Sequence, residues 1–355
     1  MLRTRSASQL LALPSHRKQS GKSLMKLYQC ALLAYLLAAN CLGSACSRAD
    51  ARNLSLKDVA DSAGNPKILA DYQPWFGDPD HIDVGYSSLD PKVLRKQIEN
   101  ARSMGIYAFV VDWYGARRPF LDRSTALLQR IASEQHFHIA LMYDETQDDN
   151  GHGTDDAMEA MDLAYQKYIG PSAAGRDAYL QYRGRPVIFV FPKRGHTDWN
   201  QVRQQVNQWE SPPILLYEDD PPAQFTKAFD GEYAWVYPGH KGWTADGQAW
   251  GEDYLRDFYS KMKSKHPDEV AVGGIWPGFN DAKASWSLNR HIDARCGQTF
   301  EDTLRLFQEN NEPSHPIPFV LIATWNDYEE GTAIERGLPH CGESKADASR
   351  GGNNK

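Results

Sequence analysis

The chain has 355 residues, with 39 Lys and Arg against 46 Asp and Glu and a formal net charge of −7. The first 49 residues hold seven of the basic residues and no acid, so the rest of the chain keeps 32 basic residues against 46 acidic ones. An acidic surface of this kind repels phosphate backbones, which excludes nucleic acid as an expected partner.

The start of the chain has the pattern of an export signal. A basic stretch precedes a run of about ten apolar residues, Cys30–Ala39, which is too short to cross a bilayer comfortably. Small residues at Gly43–Ala45 suit processing, so we predict a cleaved signal and a secreted or periplasmic protein. If Met25 is the true start, residues 1–24 are an upstream extension. The alternatives are an uncleaved anchor and lipidation of Cys46, as in an outer-membrane lipoprotein.

The predicted organisation is a leader over residues 1–49, one catalytic domain over residues 50–341 and a polar, disordered tail over residues 342–355. Eight apolar segments are predicted strands: Lys67–Tyr72, Ala108–Gly115, His138–Glu145, Pro186–Phe191, Ile214–Asp219, Tyr233–Gly239, Val270–Phe279 and Phe319–Trp325. Helical patterns lie between them, the clearest from Asp90-Pro91 to Gly105 and from Thr299 to Glu309. This alternation, without an early dinucleotide-binding fingerprint, predicts an α/β fold built as a single (β/α)8 TIM-type barrel.

Nearly every predicted strand ends in an aromatic residue beside an acid, Gly or Pro. In a barrel these ends form the functional face, and aromatic rings among carboxylates suit a neutral, polyhydroxylated ligand. The predicted carbohydrate-binding residues are Tyr72, Trp75, Asp112, Trp113, Tyr143, Asp144, Tyr237, Trp276, Trp325 and Asn326. The alternative is that the aromatic residues rim the core while the acids are solvated or cap strand-to-helix turns.

The last predicted strand leads into the densest group of polar side chains, Trp325–Glu330. Asp327 and Glu330 are three residues apart, so their side chains share one side if the backbone curls into a turn, as Gly331 suggests. Two converging carboxyl groups beside aromatic rings are what cleavage of a glycosidic bond needs. Asp327 and Glu330 are therefore the predicted catalytic residues.

These residues carry a family resemblance. Thr324–Tyr328 followed by Glu330 resembles the signature of the secreted α-1,3-glucanase (mutanase) glycoside hydrolases, and Asn326–Thr332 with Ile334-Glu335 resembles the strand-eight motif of the endo-α-mannosidase family. Weaker similarity in Tyr72–Gly77, Tyr86–Pro91, Val110–Gly115 and Tyr237–Gly239 extends the resemblance over about Lys67 to Glu335.

The resemblance implies a barrel glycoside hydrolase for α-linked glucan or mannan. Glu330 would be the general acid or acid/base, and Asp327 the base, acting on water or on the sugar 2-hydroxyl. The mannosidase family has Glu at the position of Asp327, and the two relatives differ in stereochemical outcome, so retention or inversion stays open.

Cysteine and metal patterns complete the sequence predictions. Cys296 and Cys341 are the only cysteines after the leader, and in an exported protein they predict a disulfide. His136 and His138 precede the third strand and are interpreted as structural. We expect no metal, no cofactor and a monomer that binds an oligo- or polysaccharide. The alternatives are a non-catalytic carbohydrate-binding surface protein on the same scaffold and a barrel hydrolase with a non-sugar substrate.

Overall fold

The computed structural model describes residues 55–145, 151–193, 195–236 and 244–338. The predicted leader with Cys46, the tail, Tyr237 and Cys341 lie outside these ranges. Within them, no helix combines the length and apolar character needed to cross a membrane.

Eight parallel strands form a closed barrel. They are β1 Lys67–Tyr72, β2 Ala108–Trp113, β3 His138–Asp144, β4 Arg185–Phe191, β5 Ile214–Glu218, β6 Gly231–Tyr233, β7 Val270–Ile275 and β8 Phe319–Ile322. Each strand pairs with the next in the chain, and β8 pairs with β1 through Lys67 opposite Phe319. The strands are almost continuously buried, as expected where helices cover a parallel sheet. The predicted (β/α)8 fold is confirmed.

Seven α-helices lie in the described ranges: α1 Leu56–Ala60, α2 Pro91–Ser103, α3 Pro119–Glu134, α4 Gly153–Ala164, α5 Trp199–Val206, α6 Glu252–Ser264 and α7 Gln298–Asn310. α2 begins as its sequence predicts, because the Asp90 side chain accepts the Lys92 N–H at 2.8 Å and Pro91 fills the first turn. Its buried face includes Leu94 and Ile98, which turn towards the barrel core. α7 packs closely on β7, where a Cβ at Gly273 would lie 2.5 Å from the Phe307 ring.

Short elements decorate this frame. Gln181–Tyr182 pairs antiparallel with β4, and Phe279–Asn280 pairs antiparallel with His291–Ile292. A π-helical turn, Tyr165–Ile169, extends α4, and 3-10 turns cover Gly115–Arg117, Arg176–Ala178, Ala223–Ala228, Asp281–Lys283 and Arg295–Gly297.

The sixth strand differs from its predicted span of Tyr233–Gly239. β6 begins at Gly231, which has no apolar side chain to mark it but lets the backbones approach, since a Cβ there would lie 2.0 Å from the Val270 carbonyl oxygen. Its next residue, Glu232, is only 1% exposed and is neutralised by Lys261, whose Nζ lies 2.5 Å away. β7 is also shorter than predicted, because Pro277 lacks an N–H for the ladder.

Candidate active site

A cavity of about 600 Å³ lies at the carboxyl ends of the barrel strands. Its acidic lining consists of Asp71, Asp78, Asp112, Asp144, Glu145, Asp327 and Glu330. Its basic lining consists of His81, Arg117, Arg118, Lys193 and Arg290, and its larger aromatic residues are Trp75, Tyr114, Phe191, Trp235, Phe279 and Trp286. This is the face on which TIM barrels carry their functional groups.

The turn after β8 places Asp327 and Glu330 on this one cavity. Asp327 is 2% exposed, and its Oδ1 accepts the N–H groups of Glu329 and Glu330, both at 2.9 Å. The Asp327 N–H donates to Thr324 Oγ1 at 2.8 Å, so the chain curls back on itself, and Gly331 takes a φ of 66°. The curl that the sequence suggested is therefore present, and the catalytic roles stay predictions.

The two carboxyl groups share one electrostatic environment. Burial, and then the neighbouring Glu330 charge, raise the pKa of Asp327 well above its ordinary value. Burial also raises the pKa of Glu330, although the Trp286 N–H and the Arg290 charge oppose the rise. Glu330 Oε1 accepts the Trp286 indole N–H at 2.9 Å. Two neighbouring carboxyl groups with raised pKa values suit acid and base roles.

Three further aspartates, Asp71, Asp112 and Asp144, line the cavity from the ends of β1, β2 and β3. Burial raises the pKa of all three, and neighbouring carboxylates raise those of Asp71 and Asp112 further. Lys193 opposes the rise at Asp144, since its Nζ lies 2.6 Å from that carboxylate. Within the described residues, Oδ1 of each has no hydrogen-bond partner. The three side chains therefore carry unused acceptor capacity beside the cavity, which hydroxyl-rich ligands could use.

Aromatic rings border the acid pair. Trp75 stacks on His81 with centroids 4.4 Å apart, and the Trp286 ring meets Trp75 edge to face at 6.0 Å. His81 is fixed in turn by Glu329, whose Oε2 lies 2.8 Å from Nδ1. Apolar ring surface beside carboxyl groups is suited to the C–H faces of a sugar ring.

The structure brings five of the predicted site residues to the cavity lining: Trp75, Asp112, Asp144, Asp327 and Glu330. Five others, Tyr72, Trp113, Tyr143, Trp276 and Trp325, are completely buried and do not line it. These five side chains lie in the core, and their predicted contact with sugar stays a prediction. Successive strand residues point to opposite faces, so with Asp71 and Asp112 facing the cavity, their neighbours Tyr72 and Trp113 face the surrounding layer.

The buried aromatic residues have structural partners instead. Tyr72 donates its hydroxyl to Gln97 Oε1 at 2.8 Å, and Trp276 donates its indole N–H to the Trp250 carbonyl oxygen at 2.9 Å. Asn326 is likewise buried: its amide donates to the Gln73 carbonyl oxygen at 3.0 Å and accepts the Gln73 N–H at 2.8 Å. Asn326 thus ties the turn after β8 to the loop after β1.

Sequence reasoning missed several lining residues. Asp71 was available as the acid beside Tyr72, and the alternation of strand side chains could have selected it. Lys193 follows β4, and the pattern of an aromatic residue beside an acid, which marked the other strand ends, has no acid there. His81 and Trp286 lie in loops, and no periodic pattern indicates them.

Two features bear on metals and disulfides. Cys296 is disulfide-bonded, while its predicted partner Cys341 lies outside the described residues, so the pairing itself stays a prediction.

Asp220, Glu232 and His266 place potential metal-ligand atoms within 4.8 Å of one another. Lys261 Nζ already lies 2.9 Å from Asp220 and 2.5 Å from Glu232, so an ammonium group supplies the positive charge there.

Comparisons with known proteins agree with this architecture. No family model matches the chain. Glycoprotein endo-alpha-1,2-mannosidase of Mus musculus is 23% identical over 309 residues, covering 78% of this chain and 62% of that protein. The chain thus spans about three-fifths of the length of this curated relative.

Solved structures give the same picture. The GH99 endo-alpha-mannosidase of Bacteroides thetaiotaomicron in complex with bis-tris-propane superposes with a TM-score of 0.60 at 18% identity, over 76% of this chain and 86% of that one. A glycoside hydrolase-like protein gives a TM-score of 0.54 at 15% identity, over 76% and 86% of the two chains. These likenesses confirm the barrel fold, and the mouse relative agrees with the sequence resemblance to the endo-α-mannosidase group.

Proposed function

We propose that the chain is a glycoside hydrolase that cleaves α-linked, mannan-type glycan with Glu330 and Asp327 as its acid pair. The observation that carries the proposal is that both carboxyl groups line one cavity at the functional end of the barrel. The relatives named as endo-α-mannosidases favour mannan over glucan as the substrate. No cofactor is required for this chemistry, because the two acids supply both proton transfers.

The family resemblance and the accessibility of each acid suggest its role. Asp327 accepts two backbone N–H groups and Glu330 accepts the Trp286 N–H, so each carboxyl group has a contact that favours its ionised form. The family resemblance assigns the acid role to Glu330. Glu330 is also the more accessible of the two and can reach a leaving-group oxygen. Glu330 is then the general acid, and Asp327 the base that acts on water or on the sugar 2-hydroxyl.

The test is hydrolysis of α-1,2-mannan and α-1,3-glucan by the wild type, Glu330→Gln and Asp327→Asn. Removing a general acid or base should lower turnover by roughly 10²–10⁴-fold while leaving the fold intact. Glu99→Gln, on the exposed face of α2, is the matched control and should keep full activity. Detection of the first-formed anomer by NMR decides between retention and inversion.

Unchanged turnover of Glu330→Gln would overturn the assignment of the acid. Oligosaccharide binding by a wild type that releases no reducing ends from any α-glycan would instead favour the non-catalytic carbohydrate-binding alternative.

We also propose that the protein is exported through its basic and apolar leader. Mass spectrometry of the mature N-terminus tests this proposal, with processing near Gly43–Ala45 and an N-terminus without lipid as the expected result. A lipidated Cys46 would support the lipoprotein alternative, and an intact leader on cytoplasmic protein would contradict export.

A further inference from the structure

The loop between the short strands Phe279–Asn280 and His291–Ile292 carries an unusual pair of side chains. Trp286 is 41% exposed and Leu288 is 71% exposed, and they are the exposed large hydrophobic residues of the described chain. Trp286 lines the cavity, whereas Leu288 does not. The loop therefore presents an indole ring to solvent at the rim of the candidate active site.

Asp281 holds this loop in one conformation. It is completely buried, and its carboxylate accepts the Leu288 N–H at 3.1 Å, the Ser287 hydroxyl at 3.0 Å and the backbone N–H and Nε of Arg290 at 2.8 and 2.9 Å. Four donors on one carboxylate fix the turn without help from a ligand. Because the loop is preorganised, Trp286 can bind a ligand with little loss of conformational freedom.

The polar edge of Trp286 is already engaged with Glu330. The indole Nε1 donates to Glu330 Oε1 at 2.9 Å, and the ring meets both Trp75 and His81 at 73°. An indole nitrogen donates but cannot accept a hydrogen bond. The carbonyl oxygen of a carboxylic acid is a better acceptor than its hydroxyl oxygen, so the contact at Oε1 favours the proton of a protonated Glu330 on Oε2.

We propose that Trp286 is a positioning residue that selects Oε2 of Glu330 as the proton-delivering oxygen, and that its exposed ring is the platform for a sugar unit adjoining the scissile bond. This inference rests on the proposed function, since it assumes that Glu330 is the acid. The ligand class is an α-linked oligosaccharide long enough to reach the rim, and a monosaccharide confined to the cavity would not use the platform.

Two substitutions separate these two roles. Trp286→Phe keeps an aromatic face but removes the N–H donor, and Trp286→Ala removes both. Leu288→Ala is the control, because it deletes an exposed apolar side chain of the same loop that does not line the cavity.

Binding is measured first, by calorimetry with an α-linked mannotetraose and with mannose in the Glu330→Gln background. We expect Trp286→Ala to weaken tetraose binding by up to about tenfold, the scale of one aromatic contact, while Trp286→Phe and Leu288→Ala stay within about threefold. Mannose affinity should be the same in all of them. Equal tetraose affinity for Trp286→Ala and Leu288→Ala would overturn the platform, and this result does not depend on catalysis.

Kinetics of the otherwise wild-type enzyme test the positioning role. Trp286→Phe should lower kcat by roughly tenfold with little change in KM, because the acid can then turn or protonate on either oxygen. Loss of the N–H should also raise the pKa of Glu330 and move the alkaline limb of the kcat profile to higher pH. An unchanged kcat and an unmoved alkaline limb would overturn the positioning role. An active Glu330→Gln enzyme would refute the proposed function itself, while leaving the binding comparison valid.

Discussion

We expect Asp71→Asn to stabilise the fold at neutral pH. Asp71 is completely buried, and one carboxylate oxygen accepts the Gln73 amide N–H at 2.6 Å while the other has no partner in the described part of the chain. Burial, and then the charges of Asp112, Asp327 and Glu330, raise the pKa of Asp71 well above its ordinary value. An Asn side chain can still accept from Gln73 with its oxygen, and it cannot ionise.

The sign of the effect follows from proton binding. Between the unfolded-state pKa, about 3.9, and the raised folded-state pKa, the native protein binds more protons than the unfolded chain, so stability falls as the pH rises. Each unit of separation costs about 1.4 kcal/mol of unfolding free energy. Asp71→Asn removes this loss of stability. The variant should therefore exceed the wild type in unfolding free energy most strongly above the folded-state pKa, and not at all below the unfolded-state pKa. One unit alone corresponds to a rise in Tm of roughly 2–4 °C for a large domain.

The assay is urea denaturation of the wild type and Asp71→Asn at several pH values from 4.5 to 8. Asp257→Asn, an exposed acid on α6, is the matched control and should stay within about 0.5 kcal/mol of the wild type. A variant that is less stable than the wild type at pH 8, or an advantage of the same size at every pH, would refute the reasoning. Weaker oligosaccharide binding by a more stable Asp71→Asn would show that the acid is kept for function.

Three other substitutions test the surroundings of the site. Glu335→Gln should lower the unfolding free energy by about 1–3 kcal/mol, because an amide cannot accept from all three donors that converge on this carboxylate; an unchanged urea midpoint would contradict this. Asp281→Asn should lower the unfolding free energy at pH 7 by a similar amount. Burial raises the pKa of Asp281, but its hydrogen-bond donors lower it more, so the stability that the ionised carboxylate contributes is lost as the pH falls through the folded-state pKa. The difference in urea midpoint between the wild type and Asp281→Asn should therefore become smaller in acid. Lys193→Met removes the main positive partner of Asp144, so it should destabilise the fold more at pH 8 than at pH 5. A loss of stability that does not depend on pH would count against this pairing.

Local patterns were enough to predict most of the fold. The cap at Asp90, the proline at Pro91 and the buried face of α2 all act within a few residues, so they could be predicted from a short stretch of sequence. The predicted bounds of β6 were wrong because its first two residues, Gly231 and Glu232, depend on partners elsewhere in the fold. Gly231 makes a close backbone contact with β7, and Glu232 pairs with a distant lysine, Lys261. Neither condition leaves an apolar pattern in the strand itself.

The only part of the candidate site whose geometry could be predicted from sequence is the pair of acids in the turn after β8. Asp327 and Glu330 reach a common cavity through hydrogen bonds within their own turn, and that geometry follows from their spacing and Gly331. Whether Asp71 or Tyr72 faces the cavity depends instead on how the whole barrel closes. The chemistry of the strand ends therefore predicts aromatic residues as ligand contacts, whereas in the folded barrel several of them are buried in the core.

The orientation of the acid pair is a consequence of barrel closure. β8 pairs with β1, so the turn that carries Asp327 and Glu330 packs against the loop after β1. Asn326 joins that loop through both hydrogen bonds with Gln73, and Glu335 accepts the hydroxyl of Tyr86 at 2.9 Å. These partners are about 250 residues away in sequence, so the turn that carries the acid pair is fixed in place on the barrel only when the first and last strands meet. Substitutions at the β1–β8 seam should consequently impair turnover and stability together, whereas substitutions at Trp286, on a loop with its own anchor, should impair turnover or binding without lowering stability.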